Sequence, residues 1–300
     1  MVQSAGVTAS PRVVVVIASA GRPGVVGDVL ADVARQTVAP EWVVLSVPDD
    51  GSLPVGGVPE GTIVVRDRGA AAQRNAGLAA VPEADIAFFF DDDARLRPDY
   101  LEEALAVFER RPDVIALTGR VLLDGATGEA IAVEATEHAL SSSSVDPVQP
   151  GRDELPERKT LYGCNFAFRV GSTEQRFDAR LPLYSWLEDH DLARRLLREG
   201  TIVTAPRCVV VHRGVKSGGR TNHVRLGYSQ VMNPAYFVRK GSFPVGLALK
   251  EIGRPVSKNV LQAAVSGESS PWRRERLRGN VLAAADVVRG RFTPERIISL

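Results

Sequence analysis

The 300-residue chain has only two cysteines, four histidines and two methionines. Cys164 and Cys208 lack metal-ligand spacing and lie among apolar residues. A cysteine-built metal site is therefore set aside, and both thiols are expected buried and reduced, as in a cytoplasmic protein. No apolar run approaches the roughly 20 residues that a bilayer span needs. The longest, VVVVIA after Pro11-Arg12, reads as a buried strand. The opening MVQSAGVTAS has no basic stretch followed by an apolar one, so no secretory leader is expected. Also missing is the G-x-G-x-x-G order of a dinucleotide loop: GRPGVVG has three glycines, but Pro23 removes an amide that would face phosphate.

What is present is unevenly distributed. Lys and Arg number 37 and Asp and Glu 36, yet from Pro206 to Leu300 there are 17 basic and 5 acidic residues, leaving 20 and 31 before them. An acidic body with a basic tail implies two surfaces with different partners. The boundaries expected are a flexible N-terminus at 1–11, a catalytic α/β domain at 12–215 and a basic, mainly helical extension at 216–300.

Through the first half, β-branched runs alternate with helical periodicity. RVVVVIASA, WVVLSV, TIVVRD and DIAFFF read as strands. GVVGDVLADVARQT, GAAAQRNAGLAAV and PDYLEEALAVFERRP read as helices between and after them. This order predicts a mainly parallel sheet flanked by helices, with ligands at the carboxyl ends of the strands. After Arg120 the pattern loosens. HALSSSSVDPVQPGRDELPERK is polar and expected to be a surface loop, YGCNFAFRV and CVVVHRG read as strands, and SWLEDHDLARRLLREG as a helix.

The chemistry concentrates at strand ends. IAFFFDDDARLRPDY drives phenylalanines inward and stops on Asp91, Asp92 and Asp93, three like charges that need a cation if they share a buried site. In extended backbone Asp91 and Asp93 point the same way, which suits Mg²⁺ or Mn²⁺ together with phosphate oxygens. The competing reading is a solvated acidic turn before a helix. His212, closing VVVH, is a ligand only in company with those aspartates. In WLEDHDL, Glu188 and Asp189 stand at a helix start, where a carboxylate can accept a hydroxyl proton, and Trp186 offers a surface for stacking on a sugar ring. Helix capping accounts for one or two of these acids. Arg74 in QRNAG has the shape to grip a pyrophosphate, or is an ordinary surface arginine.

Taken in order over about residues 12–215, ASAGRP, DDGS, QRNAGLAA, FFFDDDARLRPD, GCNFAFR, WLEDHDLARRL and VVVH resemble the family 2 inverting glycosyltransferases of the GT-A fold. The tail more loosely resembles bacterial members that build surface polysaccharides. The resemblance implies a metal-dependent enzyme that moves a sugar from a nucleotide-diphosphate sugar to a hydroxyl of a glycan or lipid-linked acceptor. Asp50 would contact the base together with Ser19, and Arg74 and Asp92 would lie on the donor side. Asp93 would ligate Mn²⁺ or Mg²⁺, with Asp91 nearer the ribose and His212 as a further ligand. Asp189 would be the catalytic base and Glu188 would position the acceptor. The first strand departs from the family in ending ASAG rather than Thr or Pro-Thr near an aromatic, so no donor base follows.

Two alternatives remain at this stage, a sugar-nucleotide nucleotidyltransferase and a non-catalytic sugar-nucleotide or nucleic-acid binder. Nucleic acid fits poorly with an acidic cluster, because basic contacts to phosphate dominate that affinity. In WRRERLRGNVLAAADVVRGRF, Leu277, Val281, Ala284 and Val288 share one helical face among Arg273, Arg274, Arg276, Arg278, Arg289 and Arg291. That helix either packs on the catalytic domain, joins a homo-oligomer, or rests peripherally on the anionic cytoplasmic face of the membrane.

Overall fold

The computed structural model describes residues 10–143, 154–216, 222–265 and 271–300. Most of the N-terminus expected to be flexible and the middle of the Ser/Pro-rich loop lie outside them. The strands are β1 (Val13–Ala18), β2 (Trp42–Val47), β3 (Thr62–Arg66), β4 (Ile86–Asp91), β5 (Ala94–Leu96), β6 (Val114–Asp124), β7 (Asn165–Phe168) and β8 (Thr201–His212). The helices are α1 (Val26–Ala34), α2 (Ala70–Ala79), α3 (Tyr100–Arg110), α4 (Val133–Ser142), α5 (Glu188–Leu196), α6 (His223–Lys240), α7 (Val245–Val265) and α8 (Pro271–Val288).

The strands form one sheet in the order β3-β2-β1-β4-β7-β6-β8-β5. The expected parallel core is there: β1 runs parallel to β2 and β4, β2 to β3, and β6 to β8. Short β7 enters antiparallel between β4 and β6, and β5 pairs antiparallel with β8. The sequence reading had no strand for β5 or β6, and it placed a loop from His138 where α4 continues to Ser142.

Period-two alternation explains the apolar runs. Val13, Val15, Ile17, Phe88 and Phe90 point into one core, covered by α1 and α3; Val14, Val16, Ala87 and Phe89 point into the other, covered by α2 and α5. Phe89 stacks on Phe166 and Phe168, with ring centroids 4.9 and 5.6 Å away, and meets Phe177 edge-on at 5.2 Å. A strand buried on both faces and clamped by aromatics holds its tip in place, and that tip is Asp91.

The C-terminal helices pack on this body and on each other. α6 and α8 touch backbone to backbone: a Cβ on Gly227 would lie 2.1 Å from the Arg276 carbonyl oxygen, and one on Gly279 2.1 Å from that of Val224. Between α6, α7 and α8 runs a buried polar network. Asn259 donates to Gln230 (3.0 Å) and to Asn280 (3.1 Å), and accepts from Arg273 (3.0 Å).

Truncating Phe89 to Ala removes the aromatic clamp and leaves a cavity, so unfolding free energy should fall by about 3–5 kcal/mol. Val55→Ala, on a side chain 80% exposed, should change it by less than about 0.5 kcal/mol. Urea denaturation of both variants measures the difference.

Candidate active site

The carboxyl ends of β1 and β4, the start of α2, the end of β8 and the first turns of α6 surround a cavity of about 380 Å³. That size suits a small-molecule ligand, and its place at the strand ends is where α/β sheets bind one. Of the residues singled out in the sequence, Ser19, Arg74, Asp91, Asp92, Asp93 and His212 all line it.

Register brings the metal candidates together. Asp91 pairs with Ala18 at the tip of β4, and β5 sets Ala94 opposite His212 on β8. One ligand atom from each of Asp91, Asp93 and His212 lies within 4.8 Å of the others. His212 Nε2 is 3.5 Å from Asp93 Oδ1, a buried oxygen that accepts no hydrogen bond. The other oxygen of Asp93 accepts from the Val215 amide at 2.7 Å. The opposite ring nitrogen, Nδ1, lies 2.9 Å from Asp124, which in turn accepts from the Tyr162 hydroxyl at 2.6 Å. A carboxylate on the far nitrogen of an imidazole is the arrangement that orients metal-ligating histidines. Two carboxylates, one of them with an orphaned buried oxygen, and an imidazole fit a hard divalent cation.

The remaining charge is met by arginines. Arg22 lies 2.7 Å from Asp92 and 3.4 Å from Asp93, and Ser19 donates to Asp92 at 2.7 Å. Arg74 is buried; it pairs with Glu188 and donates to Asp91 (3.1 Å) and to the Gly163 carbonyl (3.2 Å). Burial pushes the Asp91 and Asp92 carboxyls up, Asp92 to about 6, against the pull of Arg74 and Arg22 respectively. Burial acts the same way on Asp93, but His212, Arg22 and the Val215 amide outweigh it and hold that carboxyl below its usual range. Burial works against the His212 imidazolium, yet Asp93, Asp91 and Asp124 together push it up to about 9.

The acids of WLEDHDL separate into different environments. Glu188 sits against Arg74, and burial pushes its carboxyl well above the ordinary range despite that partner. Asp189 accepts from the Gly163 and His190 amides, both at 2.8 Å, so it stands one peptide unit from the carbonyl that Arg74 touches. Asp191 is fully buried and faces away toward the extension, where Arg195, Lys240 and Ser242 bind it at 3.0, 2.8 and 2.5 Å. Neither Glu188 nor Asp189 lines the cavity itself; Arg74 stands between them and Asp91. The loop leading to them is strained, with Leu183, Ser185 and Leu187 all at positive φ (59°, 54° and 67°). It is pinned by the Ala70 amide donating to Leu183 and the Ala71 amide to Ser185.

Asp50 is not in the cavity. It is exposed on the turn after β2 and pairs with Arg66 at 2.5 Å. Its neighbour Ser52 accepts from the Gly21 amide at 3.0 Å, so the DDGS turn braces the loop after β1. Sequence reasoning missed Arg22, Gln73, Asp124 and Tyr162. Gln73 donates to the carbonyls of both Ser19 and Ser46, at 2.9 and 2.7 Å, and ties the ends of β1 and β2. The extension also contributes: Asn222, Arg225, Leu226, Ser229 and Ile297 form one wall.

The raised His212 value fixes a pH dependence. Its ordinary value is 6.5, so the imidazolium's contribution to folding is fully present below about pH 6.5 and is lost as pH rises through about 9. In chelator, the melting temperature of the protein should therefore decline over that window relative to His212→Gln. Parallel curves would remove the carboxylate cage from His212.

Residues 59–177 match the family model for glycosyl transferase family 2. The matched stretch runs from β3 through β7 and contains Arg74 and Asp91–Asp93; it stops before Glu188, Asp189 and His212. No curated protein matches the chain. Among solved structures, the mannosyltransferase PcManGT from Pyrobaculum calidifontis, in complex with GDP-Man and Mn²⁺, superposes with a TM-score of 0.51 at 19% identity, over 97% of this chain and 79% of that one. S. aureus TarS 1-349 in complex with UDP-GlcNAc superposes with a TM-score of 0.57 at 14% identity, over 96% and 83%. At such identities the likeness shows the fold. The family model thus covers the stretch from β3 through β7, and the superpositions show that the chain has the GT-A fold of these glycosyltransferase structures.

Proposed function

We propose that the chain is a metal-dependent inverting glycosyltransferase that takes a sugar from a nucleotide-diphosphate sugar and adds it to a hydroxyl of a glycan or lipid-linked acceptor. The observation that carries this reading is the Asp91–Asp93–His212 cluster, buried at Asp93 and His212, with the unsatisfied Asp93 oxygen, opening on the cavity. PcManGT was solved with GDP-Man and Mn²⁺ and TarS with UDP-GlcNAc, which supports a nucleotide sugar as donor. Asp91, Asp93 and His212 would hold Mn²⁺ or Mg²⁺, and the bound cation supplies Lewis-acid stabilisation of the leaving diphosphate.

The protein's own groups do the rest. Ser19 and Gln73 shape the donor floor at the end of β1, and Arg22 provides a cation beside Asp92. Arg74 joins Asp91 on the donor side to Glu188 on the acceptor side, so the two half-sites keep a fixed spacing. Asp189, aimed by two amides, accepts the acceptor's hydroxyl proton. The freed oxygen bonds to the anomeric carbon from the face opposite the leaving group. The electrons of the broken glycosyl–oxygen bond go to the diphosphate, which inverts the configuration.

Two measurements test the reading. A divalent cation and a nucleoside diphosphate should together raise the melting temperature more than the sum of their separate effects, since each completes the other's site. Asp93→Ala should abolish that synergy, and synergy retained in this variant removes the metal assignment. For the base, Asp189→Asn keeps the shape and one of the two amide contacts while removing the proton acceptor, so donor binding should persist while transfer falls by roughly 10²–10⁴-fold. Near-normal turnover would shift the proton to Glu188; lost donor binding would make Asp189 structural.

A further inference from the structure

α8 is turned opposite to its sequence pattern. The apolar face of Leu277, Val281, Ala284 and Val288 does not pack on the body. Val281 is 66% and Val288 87% exposed, and Ala284 is exposed beside them. The buried positions of α8 are instead polar or small, namely Arg273, Gly279, Asn280, Ala283 and Asp286, with Leu282 and Val287 partly buried beside them against Tyr228 and Met232. Arg273 and Arg276, expected on the surface, turn onto Trp272, their guanidinium carbons 3.8 and 4.5 Å from its ring centroid.

α7 repeats the pattern, with Val245 60%, Leu249 65% and Leu261 65% exposed. Six of the ten large apolar side chains exposed among the described residues lie on these two helices. Interleaved with them are exposed Lys250, Arg254 and Lys258 on α7, Arg278 on α8, and Arg289 and Arg291 just beyond it. Among the described residues of the two helices only Glu251 and Glu275 stand against these, because Asp286 is buried on Tyr228 and Arg296.

We infer that the outer faces of α7 and α8 form a docking surface for an anionic phospholipid bilayer, on which the protein rests without spanning it. None of its helices is long and apolar enough to cross a membrane among the described residues. The chemistry discriminates among partners. Exposed valine and leucine gain nothing from a nucleic-acid backbone, but they enter the headgroup–acyl boundary while neighbouring arginines meet lipid phosphates. A second copy of the chain is disfavoured because a two-fold contact through this face sets its cations against themselves. The surface is separate from the cavity, so the inference stands apart from the transferase reading.

Flotation of the full chain with vesicles tests it directly. The protein should float with phosphatidylcholine vesicles containing phosphatidylglycerol at low salt. It should stay behind with phosphatidylcholine alone, and release in about 1 M salt, where the Debye length is about 3 Å. Replacing Arg278, Arg289 and Arg291 together by Gln should lower partitioning roughly a hundredfold, at about fivefold per residue. Val281→Asp with Val288→Asp should abolish it, while Arg110→Gln with Lys159→Gln, outside α7 and α8, leaves it unchanged. Unaltered melting temperatures and unaltered nucleoside-diphosphate binding show that the variants are folded. The inference is overturned if the intact chain does not float on anionic vesicles, or if flotation ignores both sets of substitutions. It is equally overturned if light scattering shows a stable dimer that Val281→Asp with Val288→Asp dissolves, which would make the face a self-association surface.

Discussion

Three consecutive carboxylates at the end of a buried strand set the terms for everything around them. Like charges so close resist desolvation, and each must find a cation of its own or release its charge. The fold meets this with three positive groups from three different places. Arg22 follows β1, Arg74 lies on α2, and His212 ends β8. None of these contacts is local in sequence, so the sheet order must be right before the aspartates can be accommodated. The compensation is also incomplete: Asp93 Oδ1 accepts no hydrogen bond, and burial leaves the carboxyls of Asp91 and Asp92 above their usual range. It is this incomplete compensation that the proposed divalent cation would complete.

The parts of this arrangement legible in the sequence are those encoded by period and punctuation. VVVVIA and IAFFF announce strands buried on both sides, and their tips announce a site, because apolar runs of that length stop only at an edge. Asp91, Asp93 and His212 could be grouped through motif order. What stayed hidden is whatever depends on strand register or on one side chain's choice of partner. Asp124 meets His212 because β6 and β8 run parallel in a register that pairs those two residues, 88 positions apart. Nothing in the local composition around Asp124 signals this. Arg22 sat in view inside GRPG, but the loop's glycines drew attention to phosphate binding by backbone rather than to its guanidinium. β7 is legible as a strand in YGCNFAFRV, but its antiparallel insertion between β4 and β6 is likewise a product of tertiary pairing.

α8 shows where pattern reading misleads. Apolar spacing identifies the face that leaves water, and in a globular helix that is normally the packed face. Here Gly279 brings the α8 backbone against α6 so closely that a larger inward side chain has no space, and hydrogen bonds from Asn280 and Arg273 satisfy the seam. Once that polar seam fixes the rotation of the helix, Val281 and Val288 must face outward whatever their hydrophobicity. The helix therefore carries two different surfaces, a polar seam inside with Leu282 and Val287 packed beside it, and an apolar, cationic one outside.

The same extension reaches the helix bearing Glu188 and Asp189 through Asp191. This carboxylate belongs to the first turn of α5, two residues after Asp189, and is buried with Lys240 and Ser242 from beyond β8 among its partners. Removing one side of a buried ion pair costs about 3–5 kcal/mol, because the remaining charge is left without water or partner. The orientation of α5's first turn, and with it the aim of Asp189 and Glu188, thus depends on α6 being docked. Tyr236 and Lys240 hold Asp178 on the same side, at 2.8 and 2.7 Å, and Asn233 holds the carbonyl of Trp186 at 2.9 Å. A segment that appears from charge and position to be an appended tail is therefore one wall of the cavity and the support of the helix bearing its acids. α7 and α8 are thereby linked through α6 to the first turn of α5, by a continuous path of packed side chains and ion pairs.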